Sequence, residues 1–366
     1  MISNGLLKKL IKTTGVVMVA GMLLAEPMAL ANDTAKADSV KQLYTESINH
    51  MRTGNYDMAL DCLNRAIKLD PSKVALYGQR GTIYLNQQRF DEAIGDFTKA
   101  IELAPDHAQT YGLRAIAYGN KGETIDAMRD LTKAIDLEPN NPVFYYRRGV
   151  TFEMLQGDDY ALKDYDKAIS LKQDDSTYYY SRCMLLIRKR KHDQAMEDIN
   201  AALNLVPDNM KYLATRAFLY TQVRDGENAI KDYETVVQAN PQDFASLDNL
   251  GVLYTDKKDY AKAKEYFDRS LIVNDRHPEV YNGQGYVEFL QGNHEVAIEL
   301  YKKALECNVE FSDAYYNLAQ SYAALKDTAN ELESYKKFLV YAAYNDYDRV
   351  AQAQKRVEEL GGFGQD

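Results

Sequence analysis

Five arginines stand at intervals of 34 residues: Arg80, Arg114, Arg148, Arg182 and Arg216. Sixteen residues after each comes an aspartate: Asp96, Asp130, Asp164, Asp198 and Asp232. A guanidinium presents a planar fork of donors that fits a carboxylate or a phosphate through two parallel hydrogen bonds. Such a row could hold an anionic ligand, or each arginine could hold its own aspartate. Where the arginine gives way to Glu46, Leu250, Gln284 or Leu318, the aspartate is also gone, replaced by Cys62, Tyr266, Leu300 or Ser334. The two residue types arrive and leave together, as members of a structural pair would. Shared ancestry of adjacent segments would produce the same pattern.

Other reactive types are scattered. None of the five histidines lies three or four residues from another, so the clustered donors of a zinc site are missing. Gly112, Gly119 and Gly122 do not follow a strand, and the chain has no phosphate loop, nucleophile elbow or paired-cysteine motif. A net charge of −10 argues against nucleic acid, whose binders cluster cations. The one basic run, Arg188 to Lys191, reads as a solvated turn. The sequence therefore predicts no enzyme, no cofactor and no metal.

The elements that position these residues follow from the same period. Blocks of 34 start at Val40, Val74, Ala108, Pro142, Ser176, Met210, Phe244, Pro278 and Ser312 and run without insertion to Asn345. Position 8 is small in most blocks, as in Gly81, Gly149 and Gly251, and position 20 is alanine in all but the last, where Glu331 stands. Positions 4 and 24 carry large rings such as Tyr145 and Tyr165, and position 32 is often proline, as in Pro71 and Pro105. Positions 4, 8 and 11 share one helical face, and 20, 24 and 27 share another. Two antiparallel helices joined near position 15 bring 8 opposite 20 and 7 opposite 23. The expected pairs are therefore within a block: Arg80–Asp96, Arg114–Asp130, Arg148–Asp164, Arg182–Asp198 and Arg216–Asp232. Pairing between blocks would strand Arg80 and Asp232. A lone hairpin cannot bury both faces, so the blocks must stack. Cys62, Cys183 and Cys307 fall at least three blocks apart, too far for a disulfide.

This skeleton resembles the tetratricopeptide repeat (TPR) family; "GNYDMALDCLNRAIKLDP", Gly54 to Pro71, is close to its second-helix consensus. The resemblance implies an all-α, right-handed α-solenoid with nine helix-turn-helix repeats. It also implies a concave groove lined by positions 2, 5, 6, 9, 12 and 13. Those positions supply Tyr146, Val150, Tyr180, Met184, Ile187, Phe218, Val252, Tyr286 and Phe289. Together they read either as a wall for a protein or peptide partner or as side chains buried between neighbouring first helices. The family's carboxylate clamp for chaperone tails is not matched. Arg147 holds position 6 of the fourth block, but Val143, Leu113, Gly78 and Thr82 stand where the clamp needs lysine or asparagine. After Asn345 the register ends, and Val350, Ala353, Val357 and Leu360 mark a capping helix before the tail.

The N-terminus reads as a signal peptide over 1–31. Lys8, Lys9 and Lys12 precede the apolar stretch Gly15 to Ala25, and Ala29-Leu30-Ala31 fits a cleavage site. The alternative is an uncleaved anchor. A short linker, 32–39, leads into repeats at 40–345, with cap and tail at 346–366. These readings predict an exported binding scaffold, periplasmic in a Gram-negative source and otherwise secreted or lumenal, without stable membrane insertion after cleavage. Homo-oligomerisation stays open. So does a second reading, a structural subunit of an envelope or secretion assembly using its convex face or ends.

Overall fold

The computed structural model describes residues 34–343 and 345–361. The expected signal peptide, the first two linker residues and the last five residues of the tail lie outside them. Nineteen α-helices and no strand occur among the described residues. In chain order they are α1 Thr34–Arg52, α2 Tyr56–Leu69, α3 Val74–Asn86, α4 Phe90–Leu103, α5 Ala108–Lys121, α6 Thr124–Leu137, α7 Pro142–Met154, α8 Asp158–Leu171, α9 Ser176–Arg188 and α10 His192–Leu205. Then follow α11 Met210–Gln222, α12 Gly226–Ala239, α13 Phe244–Asp256, α14 Tyr260–Val273, α15 Pro278–Leu290, α16 His294–Cys307, α17 Ser312–Ala324, α18 Thr328–Tyr341 and α19 Tyr347–Glu359. From the second block on, each first helix starts at position 1 and each second helix at position 17. The helix starts are local: Asn141, Asp175, Asn209 and Asp243 accept hydrogen bonds from backbone amides of the first turn, as capping side chains do. At its start the chain differs from the expected linker, because α1 is already helical at Thr34.

The turn within every hairpin uses one backbone device. Position 15 has positive φ in all nine blocks: Gly54, Gly122 and Gly292, and also Gln88, Gln156, Arg190, Arg224, Lys258 and Lys326. This left-handed residue ends the first helix and, within each of the two units described below, turns the chain back along it. Small residues then let the helices close. A Cβ on Gly149 would sit 2.7 Å from the Tyr165 ring across the hairpin, and Ala161 and Tyr165 are fully buried there. Burying one such ring contributes about 1.5–3 kcal/mol.

The chain forms two compact units, one ending at Lys189 and the other beginning at Arg190. The first holds four hairpins and α9. Successive hairpins are tied there by the position-4 tyrosines, as Tyr77, Tyr111 and Tyr145 each donate to the carbonyl of the preceding proline, Pro71, Pro105 or Pro139, at 3.1 Å. The second holds α10, four hairpins and α19. The packing of α19 explains the break in the alanine pattern at position 20. Glu331 is 1% exposed and receives Arg356 of α19 at 2.6 Å. Ala353 and Val357 of α19 pack beside Tyr316, Tyr335 and Phe338.

Candidate functional site

The recurring arginines come first, because a free guanidinium would be a binding group. In four blocks each is held twice by the aspartate opposite. Arg80 Nε and Nη2 donate to Asp96 at 2.8 and 2.7 Å, and Arg114 to Asp130 at 2.7 and 2.8 Å. Arg148 reaches Asp164 at 2.8 and 2.9 Å, and Arg216 reaches Asp232 at 2.7 and 2.9 Å. These carboxylates hold the four guanidiniums above the usual arginine range. Arg182 belongs to the first unit and Asp198 to the second, where it is buried in α10.

The remaining donor of the fork was not foreseen. Arg80 Nη1 bonds Asn64 at 2.6 Å, Arg114 Nη1 bonds Thr98 at 2.9 Å and Arg182 Nη1 bonds Asp166 at 2.6 Å. Arg216 Nη1 reaches Asn200 at 3.3 Å. All four acceptors stand at position 25 of the preceding block. Gln284 makes the same link to Asp268 at 2.6 Å, so the tie between blocks outlasts the arginine. Rings at positions 4 and 11 complete the setting: Arg80 lies 5.8 Å from Tyr77 and 6.0 Å from Tyr84. The polar pattern at position 25 was the available signal. These side chains are committed to the scaffold and leave no fork for a ligand.

The expected groove residues divide by exposure. In the first unit Tyr180 and Ile187 are buried, at 4% and 8% exposed. This corrects their assignment to an open wall: a partner could not reach them as contact surface. Tyr146, Val150 and Met184 are half-buried. The Tyr146 ring lies 5.0 Å from Tyr178 and 5.9 Å from Tyr165, and its hydroxyl oxygen accepts from Ser181 at 3.4 Å. In the second unit Phe218 and Phe289 are half-buried. Val252 is 52% and Tyr286 41% exposed, both at position 9. Tyr286 stacks on Phe289 with centroids 6.3 Å apart. Asn317 of α17 donates to Asn282 of α15 at 2.9 Å. Exposed apolar groups beside side-chain amides suit an extended peptide, which offers both apolar side chains and backbone donors and acceptors.

Charged groups on these helices are mostly paired. Burial raises Glu153 above the usual carboxylate range, although Tyr165 donates to it and Arg188 lies 2.9 Å away. Burial also raises Asp248, which accepts from Ser270 and sits 3.2 Å from His277. On α7, burial lowers Arg147, and no carboxylate offsets the loss of water. Among the described residues no group of three or more His, Cys, Asp or Glu side chains could hold a metal ion. No described helix is long and apolar enough to cross a membrane.

Comparison with known proteins adds the family. Four models, each of the tetratricopeptide repeat, match residues 48–115, 108–141, 242–308 and 291–348. No curated protein matches the chain. Among solved structures, a tetratricopeptide repeat protein from Parabacteroides merdae is 20% identical over 78% of this chain and 99% of that one, with a TM-score of 0.48. Pseudomonas aeruginosa pilF is 15% identical over 57% of this chain and 94% of that one, at 0.51. A chain of the APC/C hetero-tetramer Cut9-Hcn1 is 16% identical over 90% of this chain and 63% of that one, at 0.50. The last two share the fold.

Proposed function

From the premise that the chain belongs to the tetratricopeptide repeat family, we propose that it is an exported, non-catalytic scaffold that binds a protein or peptide. The binding surface is the face of the first helices. The observation that carries this reading is Val252 and Tyr286, large apolar side chains left open to solvent at the same position of consecutive repeats. Tyr286 stacks on Phe289 and Asn282 stands one helical turn before it on α15, so this face offers an extended segment both apolar and hydrogen-bonding groups. Export is supported by the residues of 1–31 described above, and intact-mass measurement of the secreted chain should place its first residue at Asn32.

A photo-crosslinker placed at position 286 tests the face. It should capture a discrete partner in cells, and Val252→Ser with Phe289→Ala should weaken that partner by about tenfold or more, as loss of central apolar contacts does. The competing reading, a subunit that docks through its second helices, draws support from exposed Ile125, Tyr160 and Ile272. Capture from position 125 or 272 and none from 286 would favour that reading and refute the first-helix face.

A further inference from the structure

Tyr301 of α16 carries a hydroxyl that the fold does not use. Its side chain is fully buried, and the oxygen makes no hydrogen bond to a described group. Phenylalanine would fill this place, position 24 of the eighth block, as Phe97 and Phe267 do in the second and seventh. A buried hydroxyl without a partner lowers stability, so packing alone does not account for it. The fourth block shows where a partner sits. There Tyr165, also at position 24, donates to Glu153 at position 12. The two rings are seated alike. A Cβ on Gly149 would lie 2.7 Å from the Tyr165 ring, and one on Gly285 would lie 2.6 Å from the Tyr301 ring. The Tyr301 hydroxyl is therefore aimed at position 12 of its own block, where Phe289 stands.

Phe289 covers that place and can leave it. It lies in the last turn of α15, is half-buried, and packs against the cluster that holds Tyr301. A ring at a helix end can change rotamer and turn outward without moving the hairpin backbone. The group that replaces it must be a neutral acceptor. In the fourth block the charge of Glu153 is offset by Arg188, 2.9 Å away at position 13 of the next block. At position 13 of the ninth block stands Ala324, so a carboxylate would find no cation at that position, and a buried charge without one is costly. An amide carbonyl accepts the same hydrogen bond and carries no net charge.

We propose that Tyr301 is a hydrogen-bond donor kept for an amide carbonyl of the bound segment, which reaches the hydroxyl at the place Phe289 fills in the free chain. The proposal rests on the first helices being the partner face, and it names the chemical group that the eighth repeat selects. The carbonyl can come from an asparagine or glutamine side chain, or from the backbone of an extended segment. In either case the Phe289 ring, turned outward, stays available to the partner as an apolar contact.

The test uses the chain from Asn32 onward with 13C at the ζ carbon of tyrosine, the Tyr301 signal being assigned by its loss in Tyr301→Phe. Three probes share one apolar arm: isocaproamide for a side-chain amide, N-methylisocaproamide for a backbone amide, and isocaproate for a carboxylate. The Tyr301 signal should shift saturably with one or both amides, and the carboxylate should need at least about tenfold more for the same shift. Whichever amide saturates at lower concentration identifies the source. Phe289→Gln supplies an amide from within the chain. It should move the Tyr301 signal in the same direction with no probe present, and leave it unresponsive to the probes. No shift with either amide, an equal response to the carboxylate, or a Phe289→Gln chain that still responds would overturn the proposal. Stability gives a second readout. Tyr301→Phe should leave the melting midpoint unchanged or raise it; a fall of several degrees, or failure to fold, would show that the hydroxyl already serves the scaffold and would also overturn it. Crosslinking at position 286 is read separately. Capture there without a probe response removes the amide site and leaves the scaffold reading standing, and a probe response without capture does the opposite.

Discussion

At the scale of single residues, Arg148 and Arg147 show that a charge is defined by its partner. Arg148 is part of a register device. Asp164 opposite it is buried, and removing either member strands the other in a low-dielectric setting. Asp164→Ala should cost about 3 kcal/mol, whereas Arg148→Met with Asp164→Leu together should cost far less than the two single changes summed. Denaturant unfolding of the four chains measures the coupling, and additive losses would refute the pairing as an energetic unit. The pairing was legible in the sequence because both residue types keep one register and vanish from the same blocks. The bond to position 25 was harder to see, since Asn64, Thr98 and Asp166 share only a capacity to accept. The burial of Tyr180 and Ile187 was not legible, because tyrosine and isoleucine occur equally in cores and on open faces. Their exposure is set by neighbouring helices rather than by residue type.

At the scale of the element, the hairpin depends on position 15. Glycine adopts positive φ without cost, while a residue with a Cβ is disfavoured there by about 1–2 kcal/mol. Three blocks use glycine and six do not. Lys258→Gly should therefore stabilise the α13–α14 hairpin, by up to about 1 kcal/mol once the greater freedom of glycine in the unfolded chain is counted. A lowered denaturation midpoint would mean that the Lys258 side chain supplies something the backbone argument misses. This also explains what the sequence concealed. The turn itself was readable from the helical periods on either side and from Gly54, Gly122 and Gly292. Its left-handed geometry was not readable at Gln88, Gln156 or Lys258, where no residue type announces it. The helical start at Thr34 was hidden for a related reason, since α1 extends beyond the period that defined its block.

At the scale of the whole molecule, stacked repeats gain stability from their neighbours, so an end needs a cover. In the second unit α19 provides it. Glu331 occupies a site that is alanine in the eight other blocks, and its carboxylate is tolerable there because Arg356 reaches it. Arg349 adds a second tie to Asp313 at 2.6 Å, and Tyr316 donates to Gln352 at 2.8 Å. The amphipathic period of 348–360 made this cap legible, but the reason for Glu331 emerged only once α19 was seen to lie over it. Ending the chain after Asn345 should therefore do more than expose Tyr335 and Phe338: it leaves a buried carboxylate without its counter-charge. Amide exchange should quicken most in α17 and α18, less in α15 and α16, and not at all in the first unit. Adding Glu331→Ala to the shortened chain should restore part of the lost protection, because it removes the stranded charge and returns position 20 to the residue the other repeats carry. If the shortened chain keeps full protection in α18, α19 is not a cap. If Glu331→Ala gives no recovery, the damage comes from the uncovered rings rather than from the carboxylate.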